Sequence, residues 1–261
     1  MELKDAVAIV TGSSSGIGAS LARQLCARGC HVTVNYSRNE AGAREVAAEC
    51  LALGRGRILV QQADVANDDD CQALVAATVD RFGRLDLLVN NAGTTKFCMH
   101  QNLAGLSKDD FLNIYTVNLV GPFQMTRAAE PFLRRQPVAH VVNMASIAAI
   151  TGVGSSIAYA ASKGALVTMT LSLARVLGPQ IRVNAVCPGF VAGEWLKNGL
   201  GEEKYESIRG QYNDIAPLKS TATPETVAQT VVALVAGADW TTGETLIVDG
   251  GAHLHTAPLR R

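Results

Sequence analysis

An α/β fold with one parallel sheet covered by helices on both faces is what the sequence predicts, and three observations predict it. Short β-rich runs alternate with longer helical patterns along most of the 261 residues, the order that successive βαβ units produce. The strand runs are nearly continuous in apolar residues, as strands buried on both faces must be. The composition, 48% apolar and 18% charged with 24 Gly, suits a filled core joined by tight turns. No repeat, low-complexity segment or linker divides the chain, so residues 1–261 read as one domain.

The first strand is the buried run Ala6-Val7-Ala8-Ile9-Val10, and Gly16 to Arg28 follows as a helix that Gly29 ends. His31 to Asn35 is the second strand, followed by an alanine-rich helix from about Glu40 to Leu53. Ile58-Leu59-Val60 is the third, and Asp68-Asp69-Asp70 then starts a helix, where acidic side chains meet the positive end of the helix dipole. Leu85 to Val89 is the fourth strand, and a helix from about Lys108 to Arg134 leads to the fifth, Ala139 to Met144. A helix from about Ala158 to Leu177 precedes the sixth, Ile181 to Val186, and Thr245 to Val248 is the seventh. Residues 192–214, rich in Gly, Glu, Lys and Asn, show no clear period. They stand at the carboxyl edge where open α/β sheets bind ligands, and read either as a mobile substrate lid or as a surface excursion.

Lys and Arg total 23, as do Asp and Glu, so no overall field draws in nucleic acid or an anionic membrane. Met1-Glu2-Leu3-Lys4-Asp5 is not a secretory signal. No apolar run reaches the ~18 residues of a membrane span, with His140 and Asn143 interrupting the best candidate. A cytoplasmic protein without nucleic-acid or membrane partners is expected. Cys26, Cys30, Cys50, Cys71, Cys98 and Cys187 lack metal-ligand spacing and are expected to be reduced structural thiols. No metal site is expected. His253 and His255 could ligate a metal from a β segment, and a solvated terminus is the plainer reading of the tail through Arg261.

The chemistry lies in two places. Gly12, Gly16 and Gly18 follow the first strand and open the first helix, which lets backbone approach a pyrophosphate at the helix N-terminus. Tyr159 and Lys163, thirteen residues after Ser146, are one helical turn apart and project from one face. An ammonium beside a phenol favours the phenolate. Moving a Tyr three units from its usual ~10 takes about 4 kcal/mol and makes it an acid–base catalyst. Taken singly, each residue also has a plain reading: a packing Tyr, a solvated Lys, or Asn118 disturbing or capping a helix.

Taken together, TGSSSGIG at 11–18, NNAG at 90–93, Asn118, Ser146, YAASK at 159–163 and Pro188-Gly189 resemble the short-chain dehydrogenase/reductase superfamily, from about residue 5 to Gly251. The resemblance implies a Rossmann-like, doubly wound three-layer fold with a seven-stranded parallel sheet, and a nicotinamide cofactor. It places Ser14, Ser15, Gly16, Ile17 and Gly18 at the phosphates, Asp64 and Val65 along the adenine, and Asn91, Ala92 and Gly93 beside the cofactor. Pro188, Gly189 and Val191 would lie at the nicotinamide. Tyr159 would exchange a proton with the reacting oxygen, Ser146 would hydrogen-bond it, and Lys163 would lower the Tyr pKa and hold the ribose. Asn118 would hold a water linking Lys163 to solvent. Family members commonly carry Thr where this chain has Gly193, which puts that side-chain clamp in doubt; backbone groups or Glu194 would have to replace it.

After the second strand the sequence is Asn35-Tyr36-Ser37-Arg38, with no carboxylate for a ribose 2′-hydroxyl. A hydroxyl and a guanidinium suit a 2′-phosphate, so NADP(H) is favoured over NAD(H), unless Arg38 merely begins a helix in solvent. Candidate pocket residues are Thr94, Thr95, Phe97, Ile147, Val153, Val191, Trp195 and Leu196. The pattern most resembles 3-oxoacyl-carrier-protein reductases, so a 3-oxoacyl thioester or small ketone is the expected substrate. An NAD-dependent alcohol or sugar-alcohol dehydrogenase is the alternative, and a non-enzymatic cofactor sensor would have lost Tyr159 or Lys163. Arg134 and Arg135 either dock an acidic carrier or complement a helix dipole. The resemblance also implies a homotetramer, built through the helices around 108–134 and 158–177 and the last strand, with Ala158, Ala161 and Ala165 allowing close packing.

Overall fold

The structure is a computed structural model and describes residues 1–255. Its first half runs β1 (Val7–Val10), α1 (Gly16–Cys26), β2 (His31–Tyr36), α2 (Glu40–Ala52), β3 (Ile58–Gln62), α3 (Asp68–Phe82), β4 (Leu87–Asn90), α4 (Lys108–Tyr115) and α5 (Gly121–Leu133). The second half runs β5 (Ala139–Met144), α6 (Ala148–Thr151), α7 (Ile157–Leu177), β6 (Ile181–Pro188), α8 (Glu194–Leu200), α9 (Glu202–Ile215), α10 (Pro224–Gly237) and β7 (Thr245–Val248). The strands form one parallel sheet in the order β3-β2-β1-β4-β5-β6-β7, the Rossmann-like arrangement. Most strands feed two cores; β2 feeds one, with Val32, Val34 and Tyr36 on the α1 and α2 side and Thr33 bonding Thr78 of α3 on the other. From β1, Ala8 and Val10 pack with α1, α2 and α10, while Val7 and Ile9 pack with α3, α5 and α7. That two-sided burial is why most strands lack polar alternation. The strand order reverses at β1, and the crevice beyond the carboxyl ends of β1 and β4 is where such sheets bind ligands.

Local signals set the helix ends. Asn67 accepts from the backbone N–H groups of Asp69 and Asp70 at 2.9 and 3.4 Å, and Gly83 (φ 81°) ends α3 in the left-handed region. Ser107 and Asp110 form a reciprocal capping box on α4. The helix expected over 108–134 is not uniform. Between α4 and α5, Thr116–Val120 widens into a π turn, in which the Gly121 N–H reaches back to the Thr116 carbonyl. Pro122 has no N–H for the Asn118 carbonyl four residues earlier, so α-helical bonding cannot pass through this point.

Three features are not evident from the sequence. Residues 192–214 are ordered into α8 and α9, so the missing period reflects two short polar helices rather than coil. Helix α10 was not expected, although Thr223 caps it, Pro224 occupies its first turn, and Val227, Val231 and Val235 are buried at helical spacing. Finally, α7 is long and apolar enough to cross a membrane by length and composition. No such run is visible in sequence because Lys163 lies within it, and here the helix packs against β6, α6 and α4. Near the C-terminus, His253 lies in a 3-10 turn, not a β segment, and its Nδ1 and backbone N–H both bond the Asp249 carboxylate at 2.8–2.9 Å. The tail beyond 255 lies outside the described residues.

Candidate active site

The glycine loop is held between β1 and β4. The backbone N–H groups of Asn91 and Ala92 donate to Thr11 Oγ1 at 2.9 and 3.0 Å, and Asn91 Nδ2 donates to the Thr11 and Gly12 carbonyls at 2.9 and 3.1 Å. A Cβ on Gly12, whose φ is +60°, would lie 2.9 Å from Ala92 Cα, so only glycine allows this approach. A Cβ on Gly18 would sit 2.6 Å from Asn91 Nδ2. Ser13 belongs to the scaffold: its hydroxyl donates to the Val10 carbonyl at 2.7 Å and accepts the Asn35 N–H at 2.9 Å. Ser15, at the N-cap of α1, is extended and makes no side-chain cap, and the first turn holds no acidic residue. Ser14, Ser15, Gly16 and Ile17 reach the surface here. This backbone cradle fits a pyrophosphate.

Asn35 was overlooked as a site residue. Its Oδ1 accepts the Gly12 N–H at 3.0 Å, and Nδ2 donates to the Ala63 carbonyl at 3.1 Å. The usable signal is the alternation of His31, Thr33 and Asn35 with Val32, Val34 and Tyr36, which puts an amide at the carboxyl end of β2. Next to it Tyr36 is buried, whereas Ser37 and Arg38 are exposed, and Arg38 makes no ion pair among the described residues. Asp64 is exposed beyond β3, with its N–H on Asp70 Oδ2 at 2.8 Å. Val65 turns inward, where a Cβ on Gly121 would meet its Cγ2 at 2.9 Å.

The catalytic candidates converge from three elements. Ser146 follows β5 and accepts the Ala148 N–H at 3.2 Å. Tyr159 and Lys163 lie on α7, started by Ser156, whose hydroxyl accepts the Tyr159 N–H at 3.2 Å. Lys163 Nζ lies 5.7 Å from the Tyr159 ring centroid and donates to the Met144 carbonyl at 2.8 Å. Asn118 projects from the π turn, fully buried. Its Oδ1 accepts the Thr94 N–H at 2.8 Å, and its Nδ2 donates to the Thr94 carbonyl and Ser162 Oγ, both at 3.0 Å. A Cβ on Gly93 would lie 3.4 Å from Asn118 Oδ1 and 3.6 Å from Lys163 Nζ. Gly93 thus leaves open the space these two groups share.

The electrostatics differ from the sequence expectation. Burial pushes the Tyr159 phenol up to about 12, and the Ser146 hydroxyl opposes it without prevailing. Burial likewise pushes Lys163 down to about 8. Burial, joined by Cys187, sets the phenol's value and the expected lowering by Lys163 is not seen, so the phenol holds its proton at neutral pH. Cys187, a buried thiol raised to about 11 by burial, lies beneath both.

One candidate wall residue meets the phenol directly and a second backs it: Trp195 has its ring centroid 6.1 Å from that of Tyr159 and 5.5 Å from that of Phe97. Thr95 Oγ1 and Ser155 Oγ share a hydrogen bond of 2.7 Å, which joins two loops of the rim. Ile147, Val191 and Leu196 are half-buried and Val153 is exposed. Past Pro188, the Gly189 N–H donates to the Val248 carbonyl at 2.9 Å. Any side chain at Gly189 would collide with the Tyr212 hydroxyl, which itself donates to the Asp249 carbonyl at 2.9 Å. Phe190 packs on Tyr205 and Tyr212 at 5.4 and 5.8 Å, which anchors α9. Tyr205 and Tyr212 went unrecognised, because a helix without a clear apolar stripe gives no inward face. Gly193 is extended, and a Cβ there would meet nothing within 4 Å. Arg134 is engaged with Glu130 and with the Val176 carbonyl at 3.3 Å, and Arg135 stacks 4.9 Å from the Phe132 centroid.

Residues 12–253 match the family model described as enoyl-(acyl carrier protein) reductase. The chain is 43% identical over 249 residues to a Streptomyces violaceoruber protein named as ketoacyl reductase 2 of the granaticin polyketide synthase, covering 95% of this chain and 96% of that one. It is 36% identical over 248 residues to a 3-oxoacyl-[acyl-carrier-protein] reductase of Synechocystis, covering 94% and 96%. Among solved structures, levodione reductase superposes with a TM-score of 0.90 at 28% identity, covering 97% of this chain and 99% of that chain.

Proposed function

The chain belongs to the short-chain dehydrogenase/reductase family, an oxidoreductase acting between carbonyl and alcohol, and from that premise we propose that it reduces a 3-oxoacyl thioester or ketone with NADPH. A nicotinamide cofactor held along the glycine loop and beside Pro188 and Gly189 would supply the hydride. Ser146 orients the substrate oxygen, and Tyr159, protonated at neutral pH, gives its proton as negative charge develops there. Lys163, charged below about 8, stabilises the phenolate left behind. The observation that carries this reading is the meeting of Tyr159 and Lys163, 5.7 Å from ring centroid to Nζ, beside Gly93 at the edge of the crevice. Asn118 fixes that edge by pinning Thr94 to α7.

NADP(H) is supported by the exposed Ser37 and Arg38 and by the lack of a carboxylate after β2. The cleft between α8 and the loop after β4 takes the acyl group, with α8 and α9 as its lid. A cytoplasmic homotetramer completes the proposal. NADPH consumption with a panel of 3-oxoacyl thioesters, ketones and an enoyl thioester tests it, the last because the matching family model is described as an enoyl reductase. Tyr159→Phe should bind NADPH as the parent does and lose at least about a hundredfold in kcat. Near-normal turnover in that variant would defeat the mechanism, and a tenfold preference for NADH would defeat the cofactor assignment.

A further inference from the structure

Resting on that reading, we infer that Trp195 is a specificity-determining residue: its indole favours substrates whose reacting carbonyl carries a flat, conjugated or aromatic group over saturated ones of equal size. Trp195 is the second residue of α8, and its plane is tilted 45° to that of Tyr159 and 53° to that of Phe97. Trp195 bridges the other two rings and walls one side of the phenol. Trp195 is nevertheless 49% exposed, so half of a large apolar surface next to the proton donor is spent on neither core nor lid packing.

The indole is also held in place. Gly199, one turn further along α8, receives the Phe97 ring, and a Cβ at Gly199 would overlap it. Phe97 in turn lies on a segment tied to 154–156 by the Cys98 N–H, which donates to the Ser155 carbonyl at 2.9 Å, and by the Thr95–Ser155 hydroxyl pair. Neighbouring charges are drawn off this wall: Lys197 pairs with Glu202 at 3.3 Å and lies over Tyr205, and Lys96 pairs with Asp110 at 2.7 Å. A substrate oxygen bonded to the Tyr159 hydroxyl would bring its carbonyl substituent toward the indole, whose centroid stands 6.1 Å from that of the phenol ring. Aromatic rings pair at centroid separations of about 4.5–7 Å and gain energy beyond their buried area. A saturated ring of the same volume gains the burial alone.

The test compares N-acetylcysteamine thioesters of 3-oxo-3-phenylpropanoate and 3-cyclohexyl-3-oxopropanoate. The phenyl-to-cyclohexyl ratio of kcat/KM should fall about fivefold in Trp195→Leu, the size of one aromatic pair, and stay within about twofold of the parent in Trp195→Phe. An independent readout comes from fluorescence. The chain has 2 Trp, and Trp240 is 99% exposed, so Trp240→Phe leaves Trp195 as the only indole. The phenyl thioester should then quench its emission saturably at lower concentration than the cyclohexyl one. An unchanged ratio in Trp195→Leu, with both thioesters still reduced, overturns the inference and leaves the proposed function standing. Equal quenching by the two thioesters also overturns it. If the parent reduces neither thioester nor any ketone, the proposed function falls and takes the inference with it.

Discussion

Tyr159 and Lys163 show how burial decides the working charge of a site. Both lose water, so the phenol keeps its proton and the ammonium is held less tightly than usual, at about 12 and about 8. A protonated phenol is the right starting state for donating to a developing alkoxide. His140 follows the same rule far from the chemistry. It stands on β5 in register with Leu87 and Arg182, is 1% exposed, and neither ring nitrogen has a partner. Burial first, then the Met1 ammonium and Arg182, push it down to about 4, with Asp239 opposing. The unfolded chain, at about 6.5, therefore binds more protons across the interval between these values. The neutral ring is free of penalty above about 6.5, and stability falls as pH drops toward 4, by about 2 kcal/mol at pH 5. His140→Phe should keep the stability seen at pH 7 and remove most of that acid loss in denaturant melts at pH 5 and 7. Parallel curves for the two proteins would show that His140 is not the sensitive group.

At the scale of elements, the site depends on struts between β4, β5 and α7. Asn90 and Asn143 are paired in register, and Asn90 Nδ2 donates to Asn143 Oδ1 at 2.9 Å. Asn143 Nδ2 then donates to Thr170 Oγ1 at 2.9 Å, which ties the strand before Ser146 to the helix carrying Tyr159. Asn143→Leu would remove both bonds, leaving Asn90 Nδ2 only its longer contacts to the Pro122 carbonyl and Thr126 Oγ1 and leaving Thr170 Oγ1 only the Leu166 carbonyl, at a cost of about 1–3 kcal/mol for the pair. It should lower the thermal midpoint by several degrees, whereas a shift under one degree would mean the chain of bonds contributes little. Such struts are hard to read in sequence, since Asn143 appears only as a polar break in an apolar run. The strands and most of the site were legible, because apolar runs mark strands and the glycine, Asn, Ser and Tyr/Lys spacings mark the crevice. The π turn was not, because Pro122 marks an interruption of the helical run without showing whether the chain breaks, kinks or widens there. Nor was the balance at Tyr159, because spacing places Lys163 on the same face but carries no information on how much water the fold removes.

At the scale of the whole molecule, two apolar surfaces are uncovered among the described residues, and the proposed homotetramer would cover both. One lies between α5 and α7, where Val120 and Phe123 are exposed on a groove also lined by Leu119, Ala165 and Met169. Ala161 is exposed on the same helix, whereas Ala158 is buried within the chain and cannot join a contact. The other surface follows the free edge of β7, with Leu246 exposed near Trp240 in the preceding turn. Two separate self-complementary faces, each used about its own twofold axis, generate a closed tetramer. Light scattering should return four times the 27.5 kDa subunit mass. Phe123→Glu places a charge at the centre of the first face without touching a core residue, so it should halve that mass while leaving the circular dichroism unchanged. A parent protein at one subunit mass would refute the assembly. A tetramer that survives Phe123→Glu would move the first interface off α5.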